Sequence, residues 1–418
     1  MASAPFSEKP MRDTAASPRW LSIVGIGEDG AEGLSAAARA LIGAAEIVFG
    51  GRRHLTLAAP LIRGAARPWP SPFDGAATEV LVHRGRSVCV LASGDPFHYG
   101  VGAVLAQKID AREMTVLPAP SAFSLAAARL GWSLPATVLL SVHGRSLDLV
   151  RPHLQPGARI LALTSDGGGP AALAKLLADT GFGGSRFTVL EALGGPRENI
   201  RAAAASAYDW GPADALNTVA IEVEAAPRAR VLARTPGLAD DLFEHDGQIT
   251  KREIRAVTLS ALAPRRGELL WDIGAGAGSV SIEWMLADPA MRAIATEQRA
   301  DRAARIARNA AAFGVPGLEI VEGVAPAAVA TLPAPDAVFV GGGASDPGVL
   351  DAASCVLRSG GRLVVNAVTL ETEALLIARH AGLGGELIRI AIARAEPLGG
   401  MSALRPALPV TQWVWTKP

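Results

Sequence analysis

The 418-residue chain holds only two cysteines, Cys89 and Cys355, each inside an apolar run. That excludes a disulfide framework and a cysteine metal cluster, and it suits a reducing compartment. Formal net charge is zero and the isoelectric point is near neutral, so there is no electrostatic basis for holding nucleic acid or an anionic membrane surface. No stretch is uniformly apolar over a bilayer thickness, and the first 18 residues mix Lys, Arg, Asp and Pro without an apolar core of signal-peptide length. These absences predict a cytoplasmic protein with a frayed tail over residues 1–18, no metal and a small-molecule partner. Half of the residues are apolar, enough for a sizeable core, and the length predicts two or three domains.

What is present is organised around Leu269-Leu270-Trp271-Asp272-Ile273-Gly274-Ala275-Gly276-Ala277-Gly278. An apolar run ending in an acid and three alternate glycines reads as a buried strand, a glycine loop and then a helix over Ser279 to Leu286. Glycine admits positive φ and lets a ligand approach closely, and the helix start offers free N–H groups to an occupant such as a nucleoside. A dinucleotide fingerprint would need glycine at position 279, which is Ser279. The pattern Asp-x-Gly-x-Gly-x-Gly resembles motif I of the class I S-adenosylmethionine (SAM) methyltransferases. That resemblance implies that Asp272, Gly274, Ala275, Gly276, Ala277 and Gly278 hold the methionine end of SAM.

The following segments alternate strand and helix as a doubly wound sheet does. Arg292 to Glu297 places Glu297 at the end of the second strand, where a carboxylate accepts both ribose hydroxyls. A third strand, Leu318 to Ala325, has Val324 where many class I relatives carry an aspartate for adenine; the Ala325 N–H remains available. The fourth strand opens a second glycine loop at Gly341, and the fifth ends at Asn366, facing the pocket. Leu387–Ala393 and Thr411–Trp415 complete seven strands, with Trp413 and Trp415 read as core. Ahead of motif I, Thr250 and Glu253 form a capping-box pattern, and the turn Ile249-Thr250-Lys251 resembles one in cobalamin-pathway methyltransferases, which implies that Thr250 also borders SAM.

The first half opens with Trp20 to Gly30, a strand and a turn in which Gly25, Gly27 and Gly30 satisfy G-x-G-x-x-G. Read alone this admits an NADP-dependent oxidoreductase, with Arg52 and Arg53 on the 2′-phosphate. A second strand, Val88–Ser93, ends in Gly94-Asp95-Pro96, and a third motif follows at Pro118-Ala119-Pro120-Ser121. With Ser141 to Arg145, Thr188 to Glu191 and Asn217 to Glu222, this series resembles the tetrapyrrole methylase family, the class III SAM methyltransferases. The resemblance implies two α/β lobes, about 19–117 and 118–225, with SAM in their cleft against Gly25, Gly27, Gly94, Asp95, Pro96 and Ser121.

A Pro- and Arg-containing stretch at 226–243 is the linker, leaving 244–418 as the second domain. A class III domain followed by a class I domain resembles the fused methyltransferases of cobalamin biosynthesis. The implied activity is methylation of two meso carbons of a reduced tetrapyrrole and loss of carbon dioxide from its ring C acetate, with one SAM per domain. A meso carbon between pyrroles is already nucleophilic, so placement matters more than a strong base, and no catalytic side chain is singled out. A polycarboxylate substrate calls for cationic or polar anchors: Arg52, Arg53, Arg145, Lys251, Arg252 and Asn366. A homo-oligomer is expected. The competing readings are the oxidoreductase above and a non-catalytic SAM-sensing protein.

Overall fold

The computed structural model describes residues 19–70 and 73–418. The expected tail over 1–18 lies outside the described residues. Contacts divide the chain into two compact units. One takes the described chain up to Arg145 together with Gly157–Ala229; the other takes Ser146–Pro156 together with Arg230–Pro418.

The first unit carries two five-stranded sheets. β1 (Leu21–Ile26), β2 (Ile47–Gly50), β3 (Ala65–Pro68), β4 (Val88–Ser93) and β5 (Met114–Leu117) lie in the order β3-β2-β4-β1-β5. All these pairs are parallel. β1, β2 and β4 read as near-continuous apolar runs because helices cover both faces of a parallel sheet. The second sheet has β6 (Val138–Ser141), β7 (Arg159–Leu163), β8 (Arg186–Glu191), β9 (Asn199–Ala204) and β10 (Asn217–Glu222) in the order β6-β7-β10-β8-β9. Only β6 and β7 pair parallel; the other neighbours run antiparallel.

The second unit is a seven-stranded doubly wound sheet. It contains β11 (Leu269–Ile273), β12 (Arg292–Glu297), β13 (Glu319–Glu322), β14 (Ala337–Val340), β15 (Arg362–Ala367), β16 (Glu386–Ile390) and β19 (Val410–Thr416), ordered β13-β12-β11-β14-β15-β19-β16. β11 to β15 are parallel, and β19 runs antiparallel to both neighbours. Trp271, Trp413 and Trp415 pack into the core on one face of this sheet, so both late tryptophans serve packing. Chain order reverses between β11 and β14, and ligand crevices form at the carboxyl ends of strands at such a switch point.

Two features differ from the sequence expectations. A hairpin, β17 (Ala393–Leu398) and β18 (Met401–Pro406), stands between β16 and β19 where no strand was expected. The capping box also does not form: Lys251 is the N-cap of helix Arg252–Leu262, with no side-chain cap bond. With the helix starting one residue late, Glu253 sits two rather than three positions past the N-cap and misses the reciprocal place, and the Thr250 carbonyl, left outside, accepts from Arg255 Nη1 at 2.5 Å.

Arg255 is the buried hub of this corner. Its Nε donates to Glu283 at 2.5 Å, its Nη1 meets Asp240 at 3.1 Å, and its plane lies 4.8 Å from the Phe243 ring centroid. Glu283 also accepts from the Gly237 and Leu238 amides at 2.6 and 3.0 Å, which ties the segment after Arg230 to the sheet. The excursion Ser146–Pro156 packs in the same unit. Val150 and Leu154 are buried, and Gln155 donates to the Leu232 carbonyl at 2.8 Å. Gly314 ends helix Ala300–Phe313 at φ +77°, and a Cβ there would stand 2.4 Å from Pro152 Cδ. The excursion therefore needs glycine at that position.

Candidate active site

A cavity of about 530 Å³ opens over the carboxyl ends of β11, β12, β14 and β15 in the second unit. Its size falls within the ~300–1,000 Å³ range of small-molecule sites. The two glycine loops lie side by side on its floor: Gly274 has φ +70°, and a Cβ on it would meet the Gly342 carbonyl oxygen at 2.7 Å. Gly276 has φ +61° and would carry its Cβ 3.1 Å from the Gln248 carbonyl oxygen, so only glycine leaves the entrance free at that point. Gly274, Ala275, Gly276, Glu297, Ala325, Gly341, Thr250, Lys251 and Asn366 all reach the wall.

Glu297 is 4% exposed, and its carboxylate is held by the backbone. Oε2 accepts from the Gly276 amide at 2.9 Å and Oε1 from the Arg299 amide at 3.1 Å. Two amide donors fix the plane of the group and leave further lone pairs toward the cavity, which suits a vicinal diol. Asn366 is oriented in turn: its Nδ2 donates to Thr258 Oγ1 at 2.9 Å and its Oδ1 accepts from Gln412 Nε2 at 2.9 Å.

Asp272 lies beneath the loop, off the cavity wall. Its Oδ2 accepts from the Ser281 amide at 3.2 Å and the Ser281 hydroxyl at 2.7 Å, which fastens the loop to the start of helix Ser279–Leu286. Burial raises its carboxyl to about 6, and the Glu297 charge adds to this while Ser281 opposes it. Oδ1 has no protein partner. Ala277 and Gly278 are buried in the same turn, and Arg252, at the helix start, is exposed and does not line the cavity. Asn309 bridges the turn to the preceding loop, donating to the carbonyls of Ala277 at 2.9 Å and Glu244 at 3.0 Å.

The sequence reading missed most of one wall. Ile392, Arg394, Ala407 and Leu408, at the base of the β17–β18 hairpin, line the cavity. The available signal was Gly399-Gly400, a two-residue glycine turn between short segments. Pro397 and the lack of alternation hid it.

In the first unit the singled-out residues gather at the ends of β1 and β4. A Cβ on Gly25 would fall 1.9 Å from the Gly94 carbonyl oxygen, and one on Gly94 would fall 2.7 Å from the Pro120 carbonyl oxygen. Three turns therefore touch through their backbones, and that contact alone demands both glycines. Gly27 stands against the Asp29 carboxylate, and Pro96 is buried in its turn. Asp95 accepts from the Phe97 amide at 2.8 Å, and Ser121 caps helix Ala122–Leu130 through the Ser124 amide at 3.1 Å. Arg52 and Arg145 are exposed.

Arg53, read as a substrate anchor, is already engaged. It pairs with Glu28 and donates to Ser93 Oγ at 2.8 Å, while His54 Nε2 lies 2.8 Å from the same Oγ. Burial and the adjacent Arg53 charge push His54 down to about 4, so its imidazole is neutral. The helix after the Gly25-x-Gly27 turn has only four residues, Gly30–Gly33, too short to present the dipole on which a dinucleotide pyrophosphate rests.

Comparison with known proteins agrees with this two-part geometry. The family described as Tetrapyrrole (Corrin/Porphyrin) Methylases matches residues 21–207, and the family described as Precorrin methyltransferase domain matches residues 241–417. The chain is 61% identical over 398 residues to a precorrin-6Y C(5,15)-methyltransferase [decarboxylating] of a Sinorhizobium species, covering 95% of this chain and 96% of that protein. A probable cobalt-precorrin-6B C(15)-methyltransferase (decarboxylating) of Pyrobaculum calidifontis is 36% identical over 188 residues, 43% of this chain and 96% of its own length. Among solved structures, the C-terminal domain of a precorrin-6Y C5,15-methyltransferase from Rhodobacter capsulatus is 52% identical, with a TM-score of 0.43, covering 44% of this chain and all of that one.

Proposed function

Because the chain belongs to the family of decarboxylating precorrin-6Y C(5,15)-methyltransferases, SAM-dependent enzymes of cobalamin biosynthesis, we propose how its two units divide that activity. The overall reaction methylates meso carbons 5 and 15 of precorrin-6B and removes the ring C acetate carboxyl as carbon dioxide, giving precorrin-8X. Each unit takes one SAM. The oxidoreductase and sensor readings are not favoured by the relatives.

The observation that carries the assignment is the cavity at the β11–β14 switch point, with a glycine floor and a backbone-held Glu297. There Gly274, Ala275 and Gly276 leave room for the methionine end, Glu297 accepts from the ribose, and Ala325 and Gly341 flank the base. SAM supplies an electrophilic methyl group when bound. Lys251 and Asn366 meet the polar periphery of the tetrapyrrole, and the apolar side chains of Val324, Phe339, Ile392 and Leu408 displace water from the wall. A water-poor wall favours loss of an uncharged product from a carboxylate. We therefore assign C15 methylation and decarboxylation to the second unit. The Pyrobaculum relative, whose name joins these two steps, matches over less than half of this chain but nearly all of itself. C5 methylation falls to the first unit, with Gly25, Gly27, Gly94, Asp95, Pro96 and Ser121 around its SAM. Arg52, Arg145 and Arg252 remain candidate rim contacts.

Among the described residues no helix is long and apolar enough to cross a membrane. For a homo-oligomer the exposed apolar pair Leu398 and Met401, opposite each other on one face of the hairpin, offers a contact. The test of the reading is calorimetric titration of the full chain with S-adenosylhomocysteine. About two sites per chain are expected; a single site, unaffected by changes at Glu297, refutes the assignment.

A further inference from the structure

The two strands of the hairpin β17–β18 hold none of the side chains assigned above to SAM or the tetrapyrrole. The hairpin is exposed along almost its whole length, yet its base closes one side of the cavity. Arg394 on β17 reaches the wall and pairs with Glu253 in the first turn of helix Arg252–Leu262, a residue on the same wall.

The cations of that wall are not equally free. Arg302 donates to Asp246 at 2.9 Å; Asp246 also meets Arg305 at 3.2 Å, and all three side chains are at most 28% exposed. That network is sheltered and doubly held. Lys251 is exposed and offers a single point charge. Arg394 and Glu253 are 48% and 40% exposed, and a pair so wetted shifts an equilibrium by no more than about fivefold. A guanidinium also presents a planar fork that matches a carboxylate with two parallel bonds. Of the two arginines of the wall, Arg394 is therefore the less committed, and it has a better donor geometry for a carboxylate than Lys251.

We propose that Arg394 is a substrate anchor that exchanges partners: its guanidinium leaves Glu253 for a carboxylate arm of the tetrapyrrole, and Glu253 competes against that arm. The inference rests on the cavity assignment above and adds a specificity device to it. Glu253 discriminates against ligands without a carboxylate, since they cannot compensate Arg394 for its lost partner. It also keeps the hairpin base drawn toward the helix while the substrate is away.

The experiment compares R394Q, R394K and E253Q in the full chain, at saturating SAM, by release of labelled carbon dioxide from precorrin-6B. S-adenosylhomocysteine titration accompanies each variant. Exchange predicts opposite signs: R394Q raises KM about tenfold, R394K raises it less, and E253Q lowers KM about threefold, all with unchanged S-adenosylhomocysteine affinity. A purely structural latch makes R394Q and E253Q alike, because each breaks the same ion pair. Equal shifts in the same direction, or no shift in either, overturn the proposal, and E253Q alone still decides it if R394Q fails to fold. A wild-type chain that binds no S-adenosylhomocysteine in this cavity overturns the cavity assignment and the anchor with it, and the titration tells that failure from the others.

Discussion

Replacement of Glu297 by alanine removes the buried carboxylate that the fold holds in place on the cavity wall, at the position proposed above for the ribose. The carboxylate is 4% exposed and receives two amide N–H groups, from Gly276 and Arg299, at 2.9 and 3.1 Å. Its free lone pairs would accept two hydrogen bonds from a diol, and each bond to an ionised acceptor contributes about 1.5–3 kcal/mol. Water entering the space left by the side chain recovers part of that. The expected net loss is about 1.5–3 kcal/mol, or roughly 10- to 150-fold in affinity. The two amides lose their acceptor next to an open cavity where water can replace it, so the fold should weaken by only about 1 kcal/mol. Calorimetry on the full chain should show one site unchanged and one weakened. The glutamine variant keeps an oxygen for Gly276 but turns an amide toward the ligand, and should fall between wild type and alanine. Unchanged affinity at both sites, together with a collapsed melting temperature, would show Glu297 to be a brace for the loop and refute the ribose assignment.

Asp272 should make stability depend on pH. Its folded pKa is raised to about 6 from 3.8, so its contribution to stability is fully present below the lower value and is lost as pH rises through the upper one. D272N should therefore gain on wild type across that window, by at most on the order of 3 kcal/mol, in urea unfolding followed at stepped pH. A constant difference between the two proteins from pH 4 to 8 would refute this. R255M leaves Glu283 buried and without its cation, a change that costs about 3–5 kcal/mol in comparable pairs. The two amides that still serve Glu283 place the expected loss near the lower end, and R255M/E283Q should recover part of it; an R255M variant as stable as wild type in urea would refute the argument.

The motif I loop was legible because its information is local. Three glycines at alternate positions after an apolar run specify strand, turn and helix whatever lies around them, and β11, β12 and the following helices stand where the pattern places them. Glu297 was legible for the same reason, as the acid that closes the second strand. Asp272 shows the limit: its position in the motif was evident, but whether its carboxylate faces the cavity or the helix start depends on Ser281 nine residues later. The engagement of Arg53 was hidden for the same reason, since its partners Glu28 and Ser93 come from other strand ends. The hairpin was lost because its residues pack against little, so no alternation of burial was imposed on them.

The excursion Ser146–Pro156 bears on synthesis. Those eleven residues leave the ribosome within the first unit, yet the helix they pack on, Ala300–Phe313, and its capping Gly314 emerge some 150 residues afterwards. Until then Pro152 lacks the surface that Gly314 gives it, while the chain on either side of the excursion, up to Arg145 and from Gly157, can already form its sheets. The excursion therefore reaches its final packing only after about half of the second unit has been translated. No single cut in the gene separates the two units, because the segment between β6 and β7 belongs to the second and is settled only as that unit is made.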